Sequence, residues 1–259
     1  MSEPDLSATL QRHGLAELLA HHAAIASDLP DPAGDKVAVA AARWLKQWAG
    51  DPRARAATIE DWAHPAPVLT CDEFLGPGEI SALVDFVLSR EADFGVGTLV
   101  GNERPDIYVD RSFRAAETLF DLGPFLALFE RRIERYLPFV CDHLGWPPFE
   151  QHGFEFQLTA IRNGGFFRRH NDNSHPATRT RRLTFVFYFF CSPLQPLGGE
   201  LRFAPRGAWR GPLAFPPIAN RMIFFDSSIP HEVLPVRAPT DGFGAARFTV
   251  NGWIHQDDR

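Results

Sequence analysis

The sequence is poor in cysteine, methionine and tyrosine, with 3, 2 and 3 of them among 259 residues. Cys71, Cys141 and Cys191 are odd in number and far apart, and no C-x-x-C pair occurs. No disulfide framework is implied, and a reducing cytoplasm is the simplest expectation. No apolar window reaches the length of a membrane span. The opening MSEPDLSATL lacks a basic run followed by an apolar one, so no signal peptide is expected. Positive charge is not in excess either. A net charge of −6 argues against a nucleic-acid partner, although Arg168-Arg169 and Arg179 to Arg182 are local basic patches. There is no internal repeat and no low-complexity segment.

What is abundant is phenylalanine, with 23 copies. With 45% hydrophobic and 22% charged residues, the composition is that of an ordinary soluble globular protein with a thick apolar core, expected to be a sheet core. The length suits one large domain, or a domain with a helical extension.

Residues 5 to 27 and Asp35 to Trp48 carry apolar residues on a helical period, separated by the break Asp28-Leu29-Pro30-Asp31-Pro32. We read residues 1–60 as an N-terminal helical extension and 61–259 as the main domain. Ala66 to Thr70 is the first strand-like segment. A helix follows Leu75-Gly76-Pro77, with Ile80, Leu83, Val84, Val87 and Leu88 on one stripe. Val96 to Arg114, rich in glycine, reads as strands around a mobile, substrate-covering loop. Another helix opens at Gly123-Pro124, with Leu126, Phe129, Ile133 and Leu137 inward, and Pro138 is expected to kink or restart it.

From Phe154 the period changes from helical to strand-like. Phe154 to Ala160 alternates, and Leu183 to Phe190 is almost wholly apolar, as for a strand covered on both faces. Gly199 to Phe203, Arg221 to Phe225, His231 to Val236 and Arg247 to Ile254 complete a set of short strands separated by Gly/Pro turns. The expected fold is mainly β with flanking helices (α+β). It is a double-stranded β-helix, a cupin-like jelly roll, with helices on the outer face of one sheet.

Within this frame His170 and Asp172 stand two residues apart, just beyond a strand and the Gly164-Gly165 turn, where glycine lets the backbone bend sharply. His231 follows the buried strand Arg221 to Phe225 and a short loop, so it can enter a barrel from its rim. Two imidazoles and one carboxylate form a facial set suited to Fe(II), with three positions left open. Arg247 lies sixteen residues after His231, and its guanidinium suits a bidentate carboxylate pair. Thr249 shares its strand face. His152, His175 and His255 have no partner pattern and read as structural or exposed. Arg168 and Arg169 read as solvated, Trp253 as core, Asp226 as a turn residue and Cys191 as an inert thiol.

These pieces resemble the 2-oxoglutarate- and Fe(II)-dependent dioxygenases, most of all the prolyl 4-hydroxylase-like group that includes the oxygen-sensing prolyl hydroxylases. GGFFRRHND resembles the family's G-x-aromatic-x-x-H-x-D turn, and LTFVFYFF its buried strand. GGELRF, RMIFFDSSIPHEVLPV and RFTVNGWIH resemble the strands that follow, in the same order. The resemblance spans Ile161 to Trp253. It extends loosely back to about Ala66, and residues before 60 are not covered.

The resemblance implies that His170, Asp172 and His231 hold Fe(II). 2-Oxoglutarate would chelate that iron and place its 5-carboxylate on Arg247 and Thr249, with O2 as the second co-substrate and ascorbate as a possible reductant. The reaction implied is hydroxylation of an unactivated C–H bond, with a prolyl residue of a protein or peptide as the first expectation. A free amino acid or other small molecule is the alternative, and a non-catalytic metal-binding jelly-roll module is the reading from a different class. Two departures stand out. The upstream Tyr that binds 2-oxoglutarate in relatives has no counterpart in Ala160-Ile161-Arg162-Asn163, which leaves Arg162 or Tyr188 as substitutes. The segment Arg237 to Gly244 also lengthens the spacing from His231 to Arg247. The oligomeric state has no signature in the sequence.

Overall fold

The computed structural model describes residues 68–100, 107–191, 195–204 and 213–256. The expected helices at 5–27 and 35–48, and with them the 1–60 extension, lie outside the described residues. So does the tip of the 96–114 loop, at 101–106.

Two antiparallel sheets make the body. The larger has seven strands. In chain order these are β1 (Val68–Cys71), β2 (Gly95–Val96), β5 (Glu117–Leu119), β6 (Phe154–Ile161), β8 (Arg181–Phe189), β12 (Arg221–Asp226) and β15 (Arg247–His255). Their spatial order is β1-β12-β8-β15-β6-β5-β2. The smaller sheet contains β7 (Phe167–His170), β10 (Leu201–Phe203), β11 (Leu213–Phe215) and β13 (His231–Val233), in the order β11-β10-β13-β7. Two short ribbons add β3 (Leu99–Val100) with β4 (Ile107–Tyr108), and β9 (Leu197–Gly198) with β14 (Val236–Arg237). This is the expected double-stranded β-helix.

Period-two alternation sorts the side chains of the large sheet onto two unlike faces. On β8, Leu183, Phe185, Phe187 and Phe189 belong to the main core, whereas Val186 and Tyr188 belong to a second cluster between the sheets. On β12, Met222 and Phe224 take the first face and Ile223 and Phe225 the second. β15 divides Phe248, Val250 and Ile254 from Arg247, Thr249, Asn251 and Trp253, which line a cavity. Its central position, paired along its length with both β6 and β8, fixes those four polar and aromatic positions relative to each other.

The main core lies between the large sheet and two helices, α1 (Pro77–Ser89) and α2 (Leu126–His143). Leu83 and Val87 of α1 and Phe129, Ile133, Leu137 and Val140 of α2 are buried against the phenylalanine face of β8. Phe74, Phe129 and Phe187 form a mutually contacting aromatic group, with Phe129 and Phe187 edge to face at 5.4 Å. Leu88 and Leu126, expected inward, are exposed, because each sits at the margin of its helix's apolar stripe.

Helix α2 runs through Pro138 to His143 instead of restarting there. Proline removes the bond to the carbonyl four residues earlier. Here both Pro138 and Glu134 are exposed, so water can take the freed carbonyl, while buried Leu137 and Phe139 hold the helix on the core side. The single strand expected over His231 to Val236 is divided into β13 and β14 around Pro235, which has no N–H to give to a ladder. The glycine turn before β7 does require glycine. Gly164 has φ +76°, and a Cβ on Gly165 would come within 2.5 Å of the Ala115 carbonyl. The lengthened segment before β15 packs away from the cavity. Its Phe243 is buried against Phe94 and Phe248.

Two outcomes follow for stability and thiol chemistry. Phe187→Ala should lower the unfolding free energy by about 3–5 kcal/mol in denaturant titrations, while truncating the exposed Phe120 should change it little. Burial pushes Cys71 and Cys191 up to about 12 and raises Cys141 as well. A thiol reagent at pH 8 should therefore label the native protein slowly and all three cysteines rapidly once it is unfolded.

Candidate active site

Strand pairing brings the two predicted histidines together. His231 opens β13 and pairs directly with His170 at the end of β7. Asp172 lies two residues beyond, and its backbone N–H donates to the Ser227 carbonyl in the loop that leads from β12 to His231. The potential ligand atoms of His170, Asp172 and His231 all lie within 4.8 Å of one another. Nε2 of His170 is 3.6 Å from Asp172 Oδ1, and Nε2 of His231 is 3.6 Å from Asp172 Oδ2.

The orientation of each group is fixed from behind. Nδ1 of His170 is 2.8 Å from the Arg168 carbonyl, and Nδ1 of His231 is 2.8 Å from the Ile229 carbonyl. A carbonyl only accepts, so in each neutral ring Nδ1 carries the proton and Nε2 presents a lone pair. Thr184 Oγ1 donates to Asp172 Oδ2 at 2.7 Å and lies 2.9 Å from Ser227 Oγ. Burial and the neighbouring His231 push His170 down to about 3, which keeps its ring neutral. Burial alone would raise Asp172. His231 and His170, with the Thr184 hydroxyl, outweigh it and hold the carboxyl below its usual range. Trp253 Nε1 faces the same carboxylate without reaching hydrogen-bonding geometry.

A cavity of about 1140 Å³ opens over the three groups and is walled by both sheets. Arg247 lines it and is 2% exposed. Its Nε donates to the Gly199 carbonyl at 2.9 Å. Gly199 must be glycine for this, since a Cβ there would sit 2.6 Å from Arg247 Cδ and its φ is +68°. The guanidinium lies 4.9 Å from the Tyr188 ring, and no carboxylate of the described residues is within ion-pair distance. The Tyr188 hydroxyl is buried beside it with no hydrogen-bond partner of acceptable geometry. Burial lowers the Arg247 pKa, with Tyr188 and Glu200 opposing the shift. Thr249 lies next along the same face and donates to Asn251 Oδ1 at 3.2 Å, an oxygen that Thr159 also reaches at 2.8 Å. A buried cation, an orphan hydroxyl and these short polar side chains make one wall of the cavity a receptor for an anion.

Arg162 does not join this group. It pairs with Glu117 and Glu91 and stacks over Phe243 outside the cavity. Tyr188 does not line the cavity but lies directly behind Arg247, with its ring 4.9 Å from the guanidinium. Trp253 is buried, as read, and also lines the cavity, with Arg181 stacked on it at 3.6 Å. His255 pairs with Glu155 at 2.9 Å, and His175 caps a short 3-10 turn at Pro176–Thr178 while also lining the cavity. Asp226 accepts from the Ser228 N–H, as a turn residue does.

Sequence reasoning passed over Thr184, Thr159, Asn251 and Arg114. Thr184 had a signal, as the one polar side chain before Tyr188 in the apolar run Leu183 to Phe190, while Thr159 and Asn251 stand on strand faces that already carry polar residues. Arg114 had none. It is buried at 7% exposure, lines the cavity, and is pushed down to about 10 by that burial, with Asp172 opposing.

Comparison with known proteins agrees with this geometry. Residues 156–255 match the family model of the 2OG-Fe(II) oxygenase superfamily. An uncharacterised PKHD-type hydroxylase of Synechocystis sp. (strain ATCC 27184 / PCC 6803 / Kazusa) is 39% identical over 153 residues, covering 56% of this chain and 50% of that protein. The chain thus matches about half the length of that curated relative. Among solved structures, a prolyl-4-hydroxylase of Pseudomonas putida superposes with TM-score 0.54 at 21% identity, over 77% of this chain and 97% of its own. A prolyl hydroxylase of Trichoplax adhaerens, in complex with a hypoxia inducible factor oxygen degradation domain peptide fragment, gives 0.51 at 21%, over 73% and 84%. At those identities the two structures speak for the fold. Among the described residues no helix is long and apolar enough to cross a membrane. From β6 to the end of β15, the chain is similar to the 2OG-Fe(II) oxygenase superfamily.

Proposed function

We propose that this protein is a 2-oxoglutarate- and Fe(II)-dependent hydroxylase whose metal is held by His170, Asp172 and His231. The carrying observation is the clustering of two Nε2 lone pairs and one ionised carboxylate in a cavity that also contains a buried, unpaired guanidinium. Two neutral imidazoles and one carboxylate suit Fe(II), and the cavity side of the cluster leaves room for further ligands. When bound, the iron and 2-oxoglutarate would supply the oxidising power to replace C–H by C–OH, with O2 consumed and succinate and carbon dioxide released.

The chain's own residues bind, orient and shield. The Arg168 and Ile229 carbonyls fix both imidazoles in the metal-binding tautomer, and Thr184 fixes the carboxylate. Arg247 is placed to receive the 5-carboxylate of 2-oxoglutarate in a bidentate pair. Tyr188 supplies the hydroxyl that the missing upstream Tyr would have given, and Thr249 borders the same carboxylate. The phenylalanine core behind β8 and β15 keeps water from the rear of the site. The β3–β4 hairpin brings Leu99, Ile107 and Tyr108 over the cavity mouth, and we assign it the role of covering the substrate.

The substrate favoured is a prolyl residue in a protein or peptide. The Pseudomonas and Trichoplax neighbours, named as prolyl hydroxylases, support that choice. A free amino acid or other small molecule is the second reading, favoured by a cavity that both sheets wall. Three free cysteines suit a reducing compartment such as the cytoplasm.

Purified protein supplied with Fe(II), oxygen and 2-oxoglutarate should release succinate slowly without substrate. His170→Ala and Asp172→Ala should abolish that release, and unchanged turnover would exclude the assigned iron site. Arg247→Ala should raise the 2-oxoglutarate KM by roughly thirtyfold or more, because a buried charge pair is lost. Thr184→Val should leave the fold intact and weaken metal binding by roughly tenfold to a hundredfold in a chelator competition.

A further inference from the structure

Two arginines, not one, are buried in this cavity without a carboxylate partner among the described residues. A guanidinium withdrawn from water at that cost is ordinarily paired. The proposed 2-oxoglutarate accounts for Arg247, since its other carboxylate belongs with the metal. Nothing described so far accounts for Arg114.

Its surroundings are built to hold it still. Nη1 donates to the Thr98 carbonyl at 2.9 Å, and Nε is buried with no hydrogen-bond partner. Gly97 packs so closely that a Cβ there would come within 2.9 Å of Nε. The Arg114 backbone bridges to Phe167, and its guanidinium lies 4.8 Å from that ring's centroid. Phe167 in turn stacks on His170 with centroids 3.6 Å apart. The side chain lines the cavity, and among the described residues its remaining amino group, Nη2, has no hydrogen-bond partner. Arg114 is thus linked to the iron-site residue His170 through the ring of Phe167.

The charge of the cavity points the same way. Among the described lining residues Asp172 is the one carboxylate, against Arg114, Arg169, Arg181 and Arg247. Arg181 is occupied by Glu155. A doubly charged metal and doubly charged 2-oxoglutarate cancel each other, so the excess positive charge remains for the second substrate.

We propose that Arg114 forms a carboxylate-binding subsite that anchors the primary substrate next to the His170–Asp172–His231 cluster, so that the compound hydroxylated carries a carboxylate close to its reacting carbon. This rests on the reading of that cluster as the iron site. The carboxylate belongs either to a free amino acid or to an acidic residue flanking the reacting one in a peptide, and the two sources share one recognition chemistry: Nη2 donating to a carboxylate oxygen in a dry, pre-positioned pocket.

The test uses the whole protein loaded with Zn(II) and 2-oxoglutarate, which fill the metal and Arg247 positions without oxidation. Arginine Nε–H signals are followed by nitrogen-15 NMR, with Arg114→Lys used to assign the Arg114 signal. L-proline is titrated against L-prolinamide, and acetyl-Glu-Pro-Glu-amide against acetyl-Gln-Pro-Gln-amide. The Arg114 signal should move with the acid of one pair, and that pair identifies the source. The matching amide should need roughly tenfold or higher concentration. If neither acid moves the Arg114 signal, or if acid and amide act equally, the proposal is wrong. The titration requires no turnover, so its failure differs from that of the iron reading, which would show as succinate release surviving in Asp172→Ala.

Discussion

The alternation of side chains along three adjacent strands governs the rest of the molecule. β8, β12 and β15 present phenylalanine, leucine and methionine to the helices. On the other face β12 gives Ile223 and Phe225 to the inter-sheet cluster, while β8 and β15 give hydroxyl, amide and guanidinium groups to the cavity. A slip of one residue in β15 would put Arg247 into the helix-facing core and Phe248 into the site. The many close aromatic contacts on the helix side make that slip costly. They act on function indirectly, by holding the register that aims Arg247, Thr249 and Thr184.

The smaller sheet supplies the other half of the site through one pairing. His231 opposite His170 makes two distant sequence positions neighbours, and the Asp172 backbone, bonded to Ser227, closes the group. Each ligand has its second polar atom already committed to a carbonyl, a hydroxyl or the neighbouring ligand. The cluster is therefore oriented before any metal arrives, and the conformational cost of gathering three ligands has been met in folding.

Much of this was legible in the sequence. The apolar run of β8 announced a strand covered on both sides, and His170, Asp172, His231 and Arg247 carried recognisable spacing. What was not legible depended on which side of a strand faced what. Trp253 is buried, as read, and only the register of β15 shows that it also faces the cavity. Arg162 and Tyr188 stood as equal substitutes for the missing tyrosine. Strand direction separates them, since Arg162 is held outside by Glu91 and Glu117 while Tyr188 lies under Arg247. Pro138 was expected to interrupt α2, but its exposed position lets solvent satisfy the carbonyl it frees. Arg114 carried no pattern at all, because its burial depends on the distant glycine Gly97 and on the ring of Phe167.

The account stands on the joint occupancy of the cluster and the Arg247 wall by iron and 2-oxoglutarate. The most direct measurement is anaerobic visible spectroscopy of the purified protein as 2-oxoglutarate is added to its Fe(II) form. Chelation of Fe(II) by a 2-keto acid gives a charge-transfer band that neither component shows alone. The band should appear at one equivalent of iron, require higher 2-oxoglutarate in Arg247→Ala, and be absent in Asp172→Ala. No band in the unaltered protein, or an unchanged band in Asp172→Ala, would contradict the assignment.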